Sequence, residues 1–275
     1  MNVSGGGDFP ASLLLVGAGR MGSALLKGWL NLGLDPAGVH VLDPAPSAEV
    51  QAFCAAQGVA MGAPASAPEV LVLAIKPQTL ASAAPMLVPL AGPRTLVVSI
   101  LAGKTLKKIA DHLPGAGAVI RAMPNLPAAI GAGITGAVAN AAVTPAQRQT
   151  AEALLSAGGR VEWLDDEGLI DAVTAVSGSG PAYVFYLAEC LTEAGVAQGL
   201  PPAIAERLAR ATIEGAGAML AALPEAAAAK LRADVTSPGG TTEAALAELK
   251  GDEALAKLIG RAVAAARRRA QQLSD

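Results

Sequence analysis

The run Val235 to Lys250, VTSPGGTTEAALAELK, places a serine, two adjacent glycines and two threonines directly before an apolar-periodic stretch. Two glycines side by side cost helix stability, roughly 1 kcal/mol each relative to alanine, so they belong to a loop with unusual backbone angles or a close contact. The spacing predicts a helix from Thr241 or Thr242, with Glu243 in its first turn and Leu246 and Leu249 on one face. Free N–H groups and the positive end of the helix dipole converge on such a loop, which suits an anion. A capped turn is the plainer reading of the same residues.

A second cluster lies near the start of the chain. After NVSGGGD, expected to be a flexible leader, an apolar strand from Leu13 to Val16 meets Gly17, Gly19 and Gly22 in G-x-G-x-x-G spacing, and an apolar-periodic helix follows at once. In that setting Gly17 allows the tight turn, Gly19 lets backbone approach a pyrophosphate, and Gly22 lets helix pack on strand. A further strand, VHVL, ends at Asp43, about 20 residues past the last glycine, where a carboxylate can accept from an adenosine ribose hydroxyl. A carboxylate there repels a 2′-phosphate, which favours NADH over NADPH. Asp43-Pro44 as a simple turn is the alternative, and Ser47 and Arg20 are near enough in sequence to help hold a phosphate.

The elements that must position these residues follow from the alternation of apolar runs. VLVLAIKPQTL, RTLVVSILAG and GAVIRAMPNLPAAIG read as strands leading into loops, separated by helical stretches such as KTLKKIADHL. This alternation predicts a parallel, doubly wound sheet, in which ligands lie past the carboxyl ends of the strands. Lys76 and Pro77, Ser99 to Gly103, and Met123, Pro124 and Asn125 are therefore expected to face a cofactor. From about Asp165 the pattern becomes helical throughout. The fold class expected is α/β: a Rossmann-type dinucleotide-binding domain over residues 1–165, then an all-helical domain over 166–275, joined near Trp163 to Gly168. The Ala-rich helices leave apolar faces uncovered in so small a unit, which predicts dimerisation through them. Arg267, Arg268 and Arg269 read as a solvated helix end.

Composition narrows the class. The 275 residues are 52% hydrophobic and 16% charged, enough for one or two well-buried domains, and the net charge of −3 gives no reason to expect nucleic acid as a partner. Apolar stretches are broken by Pro, Gly, Ser and Asn, so no membrane span is expected, and the N-terminus lacks the basic region of a secretion signal. Cys54 and Cys190 form no metal-ligand spacing and no disulfide framework, and are expected to be reduced thiols of a cytoplasmic protein.

Chemistry is further constrained by missing residues. The histidines, His40 beside the second strand and His112 at the end of a first-domain helix, are not placed like a catalytic base, and no lysine occurs between Lys108 and Lys230. Oxidising an alcohol usually needs His, Lys or Tyr beside the nicotinamide to move the hydroxyl proton. A C=N bond can arrive already protonated as an iminium, and then asks the protein mainly for position and electrostatics.

VTSPGGTTEAALAEL closely resembles the signature of the pyrroline-5-carboxylate reductases, and VSGSGPAYVFYLAE, GLP, RAMPNLP and GAGRMG have counterparts in that family. The resemblance covers about Leu13 to Gln271. It implies NAD(P)H-dependent reduction of 1-pyrroline-5-carboxylate to L-proline, the last step of proline synthesis, by a homodimer of interlocked helical domains that often assembles into a decamer. It places the substrate carboxylate against Ser237 and the amides of Gly239, Gly240 and Thr241, with the Thr242 hydroxyl at the ring nitrogen. Its cofactor half-site takes in Gly17, Gly19, Arg20, Met21, Lys76, Pro77 and Asn125. Many members end the second strand with Ser, Thr, Asn or an Arg-containing segment suited to a 2′-phosphate, where this chain has LDPAPS. The rival readings are a reductase of a related cyclic imino acid such as piperideine carboxylate, a relative of the 3-hydroxyacid dehydrogenases, whose catalytic lysine has no counterpart here, and a dinucleotide-binding module without activity.

Overall fold

The computed structural model describes residues 9–274, so the leader expected to be flexible lies outside the described residues. Strand β1 (Leu13–Val16) leads through the glycine turn into α1 (Arg20–Asn31), followed by β2 (Val39–Leu42), α2 (Ala48–Gln57), the short β3 (Ala60–Met61) and β4 (Val70–Leu73). Helix α3 (Leu80–Leu87), β5 (Leu96–Ser99), α4 (Leu106–His112) and β6 (Ala118–Met123) continue the alternation, and β7 (Gly133–Ala139), α5 (Pro145–Ser156) and β8 (Gly159–Trp163) complete it. The strands form one sheet in the order β3-β2-β1-β4-β5-β6-β7-β8.

Every residue of β1, β4 and β5 is buried, because helices cover both faces of the sheet and no side of these strands meets water. On one face Leu13, Leu15, Val41 and Val72 pack with Leu25, Leu26 and Trp29 of α1 and Leu154 of α5. The indole N–H of Trp29 donates to the Leu154 carbonyl at 2.7 Å, so the buried ring keeps no orphan donor. On the other face Leu14, Val16, Leu71 and Val97 meet Leu80 and Leu87 of α3 and Ile109 of α4. Cys54 is fully buried, and burial pushes its thiol up, whereas Cys190 is exposed; both are free.

The sheet departs from the all-parallel expectation at β7, which pairs antiparallel with β6. Residues 124–132 join the two strands through a short 3-10 turn, Leu126–Ile130, and a parallel crossover needs a dozen or more residues. The Asn125 side-chain oxygen accepts the Ile134 N–H at 3.0 Å and fixes this reversal.

The helices that follow are α6 (Ile170–Val173), continued by a π-turn at Thr174–Gly178, then α7 (Gly180–Ala197), α8 (Pro202–Ala222), α9 (Ala228–Asp234), α10 (Thr241–Lys250) and α11 (Ala254–Ser274). The chain forms two compact units, one ending at Gly178 and regaining residues 267–274, the other spanning Ser179 to Ala266. This division by compactness falls later than the 165/166 change from strands to helices.

A charged cluster explains why the first unit reaches so far. Arg121 of β6 is 3% exposed; its guanidinium meets Glu167 at 3.0 Å and Asp171 at 3.6 Å, and donates to the Ser274 hydroxyl at 3.5 Å. Glu167 also accepts the Leu106 N–H at the start of α4, and Lys108 donates to the Ser274 carbonyl, both at 2.7 Å. The end of α11 is thereby held on the sheet unit, while Arg267 to Arg269 remain exposed.

In the second unit α7 and α8 pair closely: a Cβ added at Gly195 would lie 3.2 Å from that of Ala205. Phe185 and Tyr186 of α7 remain 56% and 67% exposed, the uncovered apolar face expected of dimerising helices. Among the described residues no helix is long and apolar enough to cross a membrane.

Candidate active site

The residues selected from sequence fall into two clusters, one in each unit. The first is the turn between β1 and α1. Gly17 adopts φ +93°, and an added Cβ would lie 2.8 Å from the Ala74 carbonyl carbon and oxygen. At Gly22 the added atom would be 2.2 Å from the Gly17 oxygen, whereas at Gly19 it meets nothing within 4 Å. Gly17 and Gly22 therefore satisfy the protein's own packing, and Gly19 opens onto free space where a ligand can approach.

Gly19 is the N-cap of α1 and supplies no side-chain acceptor, so the first-turn amides face that space. Helices α2, α4 and α5 start differently, from Ser47, Thr105 and Thr144, whose hydroxyls accept first-turn amides. Open amides beside a glycine turn fit a pyrophosphate. Arg20 and Met21 begin α1, Arg20 exposed and Met21 resting on the core.

The other residues expected to meet a cofactor follow the carboxyl ends of β2, β4, β5 and β6. Asp43 follows β2; its carboxylate accepts the Ala18 N–H at 2.7 Å and the Ala45 N–H at 2.9 Å. Asp43 thus makes the local turn and also ties that turn to the glycine loop. Lys76 is exposed and precedes the 3-10 turn begun by Pro77, just past β4. Asn125 follows β6, with its oxygen engaged by Ile134 and its amide nitrogen still a donor. His40 lies within β2, and the His112 ring nitrogen Nδ1 is 2.7 Å from the Lys108 carbonyl.

The second cluster is the loop Val235 to Gly240. Helix α10 begins at Thr241 with Glu243 in its first turn, as the spacing predicts. Its N-cap is Gly240, again without a side-chain acceptor, so α10 shares with α1 a start from glycine. The loop is nonetheless internally bonded. The Gly240 N–H donates to the Ser237 carbonyl at 3.0 Å, and the Gly239 N–H donates to the Glu243 carboxylate at 2.7 Å, with Gly239 at φ +70°. The amides left for an incoming anion are those of Thr241, Thr242 and Glu243, beside the exposed Ser237 and the half-buried Thr242.

Two residues outside the sequence-selected set carry structural weight. Arg121 stood only as one letter of RAMPNLP, although an arginine inside an apolar strand run is a signal for a buried charge partner. Glu243 was placed in the first turn, but its bond to Gly239 depends on a glycine with positive φ that spacing does not reveal.

An open glycine turn at the carboxyl edge of a doubly wound sheet defines a dinucleotide-binding protein of the Rossmann class. The family model for pyrroline-5-carboxylate reductase dimerisation matches residues 167–273, and that for NADP oxidoreductase, coenzyme F420-dependent, matches 12–103. The pyrroline-5-carboxylate reductase of Pseudomonas aeruginosa is 40% identical over 96% of this chain and 97% of its own. That of Synechocystis is 47% identical over 76% of each. The solved structure of a pyrroline-5-carboxylate reductase from Coxiella burnetii superposes with a TM-score of 0.89 at 35% identity, covering 97% of this chain and 99% of that one. The chain belongs to the pyrroline-5-carboxylate reductase family.

Proposed function

We propose that this chain reduces 1-pyrroline-5-carboxylate to L-proline with NADH or NADPH, the last step of proline synthesis. The observation that carries the reading is the Ser237-Pro-Gly-Gly-Thr-Thr242 loop opening α10 without a side-chain cap. The substrate carboxylate takes the open amides at Thr241 and Thr242 and the Ser237 hydroxyl, next to Gly239 and Gly240, which give the loop its shape. An anion held by several such donors needs no arginine. The Thr242 hydroxyl accepts the ring N–H, orients the ring and stays bonded to the amine as it forms. Gly17, Gly19, Arg20, Met21, Gly22, Lys76, Pro77 and Asn125 hold the dinucleotide, which when bound supplies the hydride.

The iminium brings its own proton, so the carboxylates of Asp43 and Glu243, each engaged by backbone amides, are not required as a base. The protein works as a homodimer through its helical unit, assembling further into a decamer, in the cytoplasm. Oxidation of NADH or NADPH on adding pyrroline-5-carboxylate tests the reaction; folded protein that oxidises neither overturns it. Piperideine carboxylate run in parallel measures tolerance for one more methylene, worth about 1–3 kcal/mol.

Thr242→Val keeps the shape and removes the hydroxyl. Turnover is expected to fall roughly 10- to 100-fold, the cost of one polar contact to the reacting ring, with dinucleotide affinity unchanged. Steady-state kinetics with cofactor titration check this, and an unaltered kcat would remove Thr242 from the chemistry.

A further inference from the structure

We infer that the end of α11 positions the β5–α4 loop against the nicotinamide half of the cofactor, which makes Leu273 and Ser274 positioning residues for hydride delivery. The inference rests on the dinucleotide-dependent reductase reading above. In a doubly wound sheet the two halves of a dinucleotide lie over the two halves of the sheet, past the carboxyl ends of the strands. The glycine turn after β1 and Asp43 after β2 serve the adenosine half, so the loops after β4, β5 and β6 serve the half that carries the nicotinamide. The loop after β5, residues 100–105, is the middle one of these three.

That loop is held from two sides. On the sheet side the Ile100 N–H donates to the Leu73 carbonyl at 3.0 Å, the Leu101 N–H donates to the Ser99 hydroxyl at 3.3 Å, and the Leu101 side chain is buried. On the other side the backbone of residue 273 closes on it. Gly103 has φ +70°, and an added Cβ there would lie 2.6 Å from the Leu273 carbonyl oxygen and 2.9 Å from its carbon. The Leu273 side chain is half exposed, so the closest contact is made by its carbonyl. Ser274 keeps that carbonyl in place: Lys108 Nζ donates to the Ser274 carbonyl at 2.7 Å, and the Ser274 hydroxyl meets Arg121 at 3.5 Å and Asp171 at 3.2 Å. Thr105, the cap of α4, ends the loop and accepts the Lys108 N–H at 3.1 Å. Loop, α4 and residues 273–274 thus close into one ring of contacts, with Ala102 left exposed. A displacement of about 1 Å at a reacting centre can cost roughly 100-fold in rate, so a loop seated on this ring holds its partner only as well as the ring is closed.

The ring can be opened in two ways. Deleting residues 273–275 removes the contact on Gly103 outright, while Lys108→Met keeps the chain length and releases only the Ser274 carbonyl. Calorimetric binding without any imino acid present compares each dinucleotide with the same molecule lacking its nicotinamide: ADP-ribose for NADH, and the 2′-phosphorylated form for NADPH. The deletion is expected to weaken the whole dinucleotide about tenfold and to leave the ADP-ribose form within about twofold, because only the nicotinamide half loses its support. Lys108→Met should give the same split at about threefold, which keeps the test open if the shortened chain does not fold. Single-turnover hydride transfer should slow by roughly 10- to 100-fold in the deletion. Loss of both affinities by one factor would mark a general loosening of the fold and overturn the inference. So would two folded variants with wild-type affinity for the whole dinucleotide. Wild type that binds neither molecule overturns the inference together with the reading beneath it. A split in binding without imine reduction by wild type would overturn the reductase reading alone and leave Leu273 and Ser274 in their role.

Discussion

Replacing Gly22 with alanine is expected to weaken dinucleotide binding about 100-fold and to destabilise the first unit, whereas the same change at Gly19 should weaken binding alone. The contrast follows from what each added methyl meets. At Gly22 it lies 2.2 Å from the Gly17 oxygen and 3.2 Å from the Ala74 Cβ, so the turn must open or α1 must lift from the strand. Either movement displaces the first-turn amides and strains the Asp43 contact to Ala18. At Gly19 the methyl meets no protein atom within 4 Å, so the fold has no reason to respond. It enters the space assigned to the pyrophosphate. Thermal unfolding of the two variants, with and without dinucleotide, separates these effects. A Gly19→Ala protein with wild-type affinity would show that the open face of the turn is not where the cofactor lies.

The second large effect concerns Arg121. Arg121→Met should cost about 3 kcal/mol, the lower part of the range for breaking a buried ion pair, because Glu167 retains some contact with water. The loss comes from the partners left behind, Glu167 and Asp171, each with a carboxylate on a vacated guanidinium. A triple variant, Arg121→Met with Glu167→Gln and Asp171→Asn, should recover most of the stability, since it removes those charges as well. Urea denaturation at one fixed protein concentration measures both, so that any contribution from association is the same for each variant. A triple variant no more stable than the single one would mean that geometry at this cluster matters more than charge.

Local chemistry was well exposed in the sequence. The β1 turn, the end of β2 at Asp43 and the start of α10 at Thr241 each depend on neighbours within a few residues, so spacing and turn residues suffice to place them. What escaped depends on distant pairings. The reversal at β7 follows from a short connector whose residues, NLPAAIG, look like any loop until the direction of the next strand is known. Asp43 showed its charge but not its bond to Ala18, which lies 25 residues back along the chain. The Arg121 cluster joins residues of four separate segments, and the pattern of each segment does not tell which of the others it meets. The terminal arginines are solvated, as their charge run predicts, yet Ser274 just beyond them is an attachment point.

That attachment changes what kind of segment the helical unit is. With residues 267–274 returned to the sheet unit, Ser179 to Ala266 is an insertion closed at both ends and not a tail. A chain with both ends fixed has fewer unfolded arrangements to lose than one free at an end. The few side chains gathered on Arg121 thus act at a distance, lowering the entropy cost of ordering helices they do not touch.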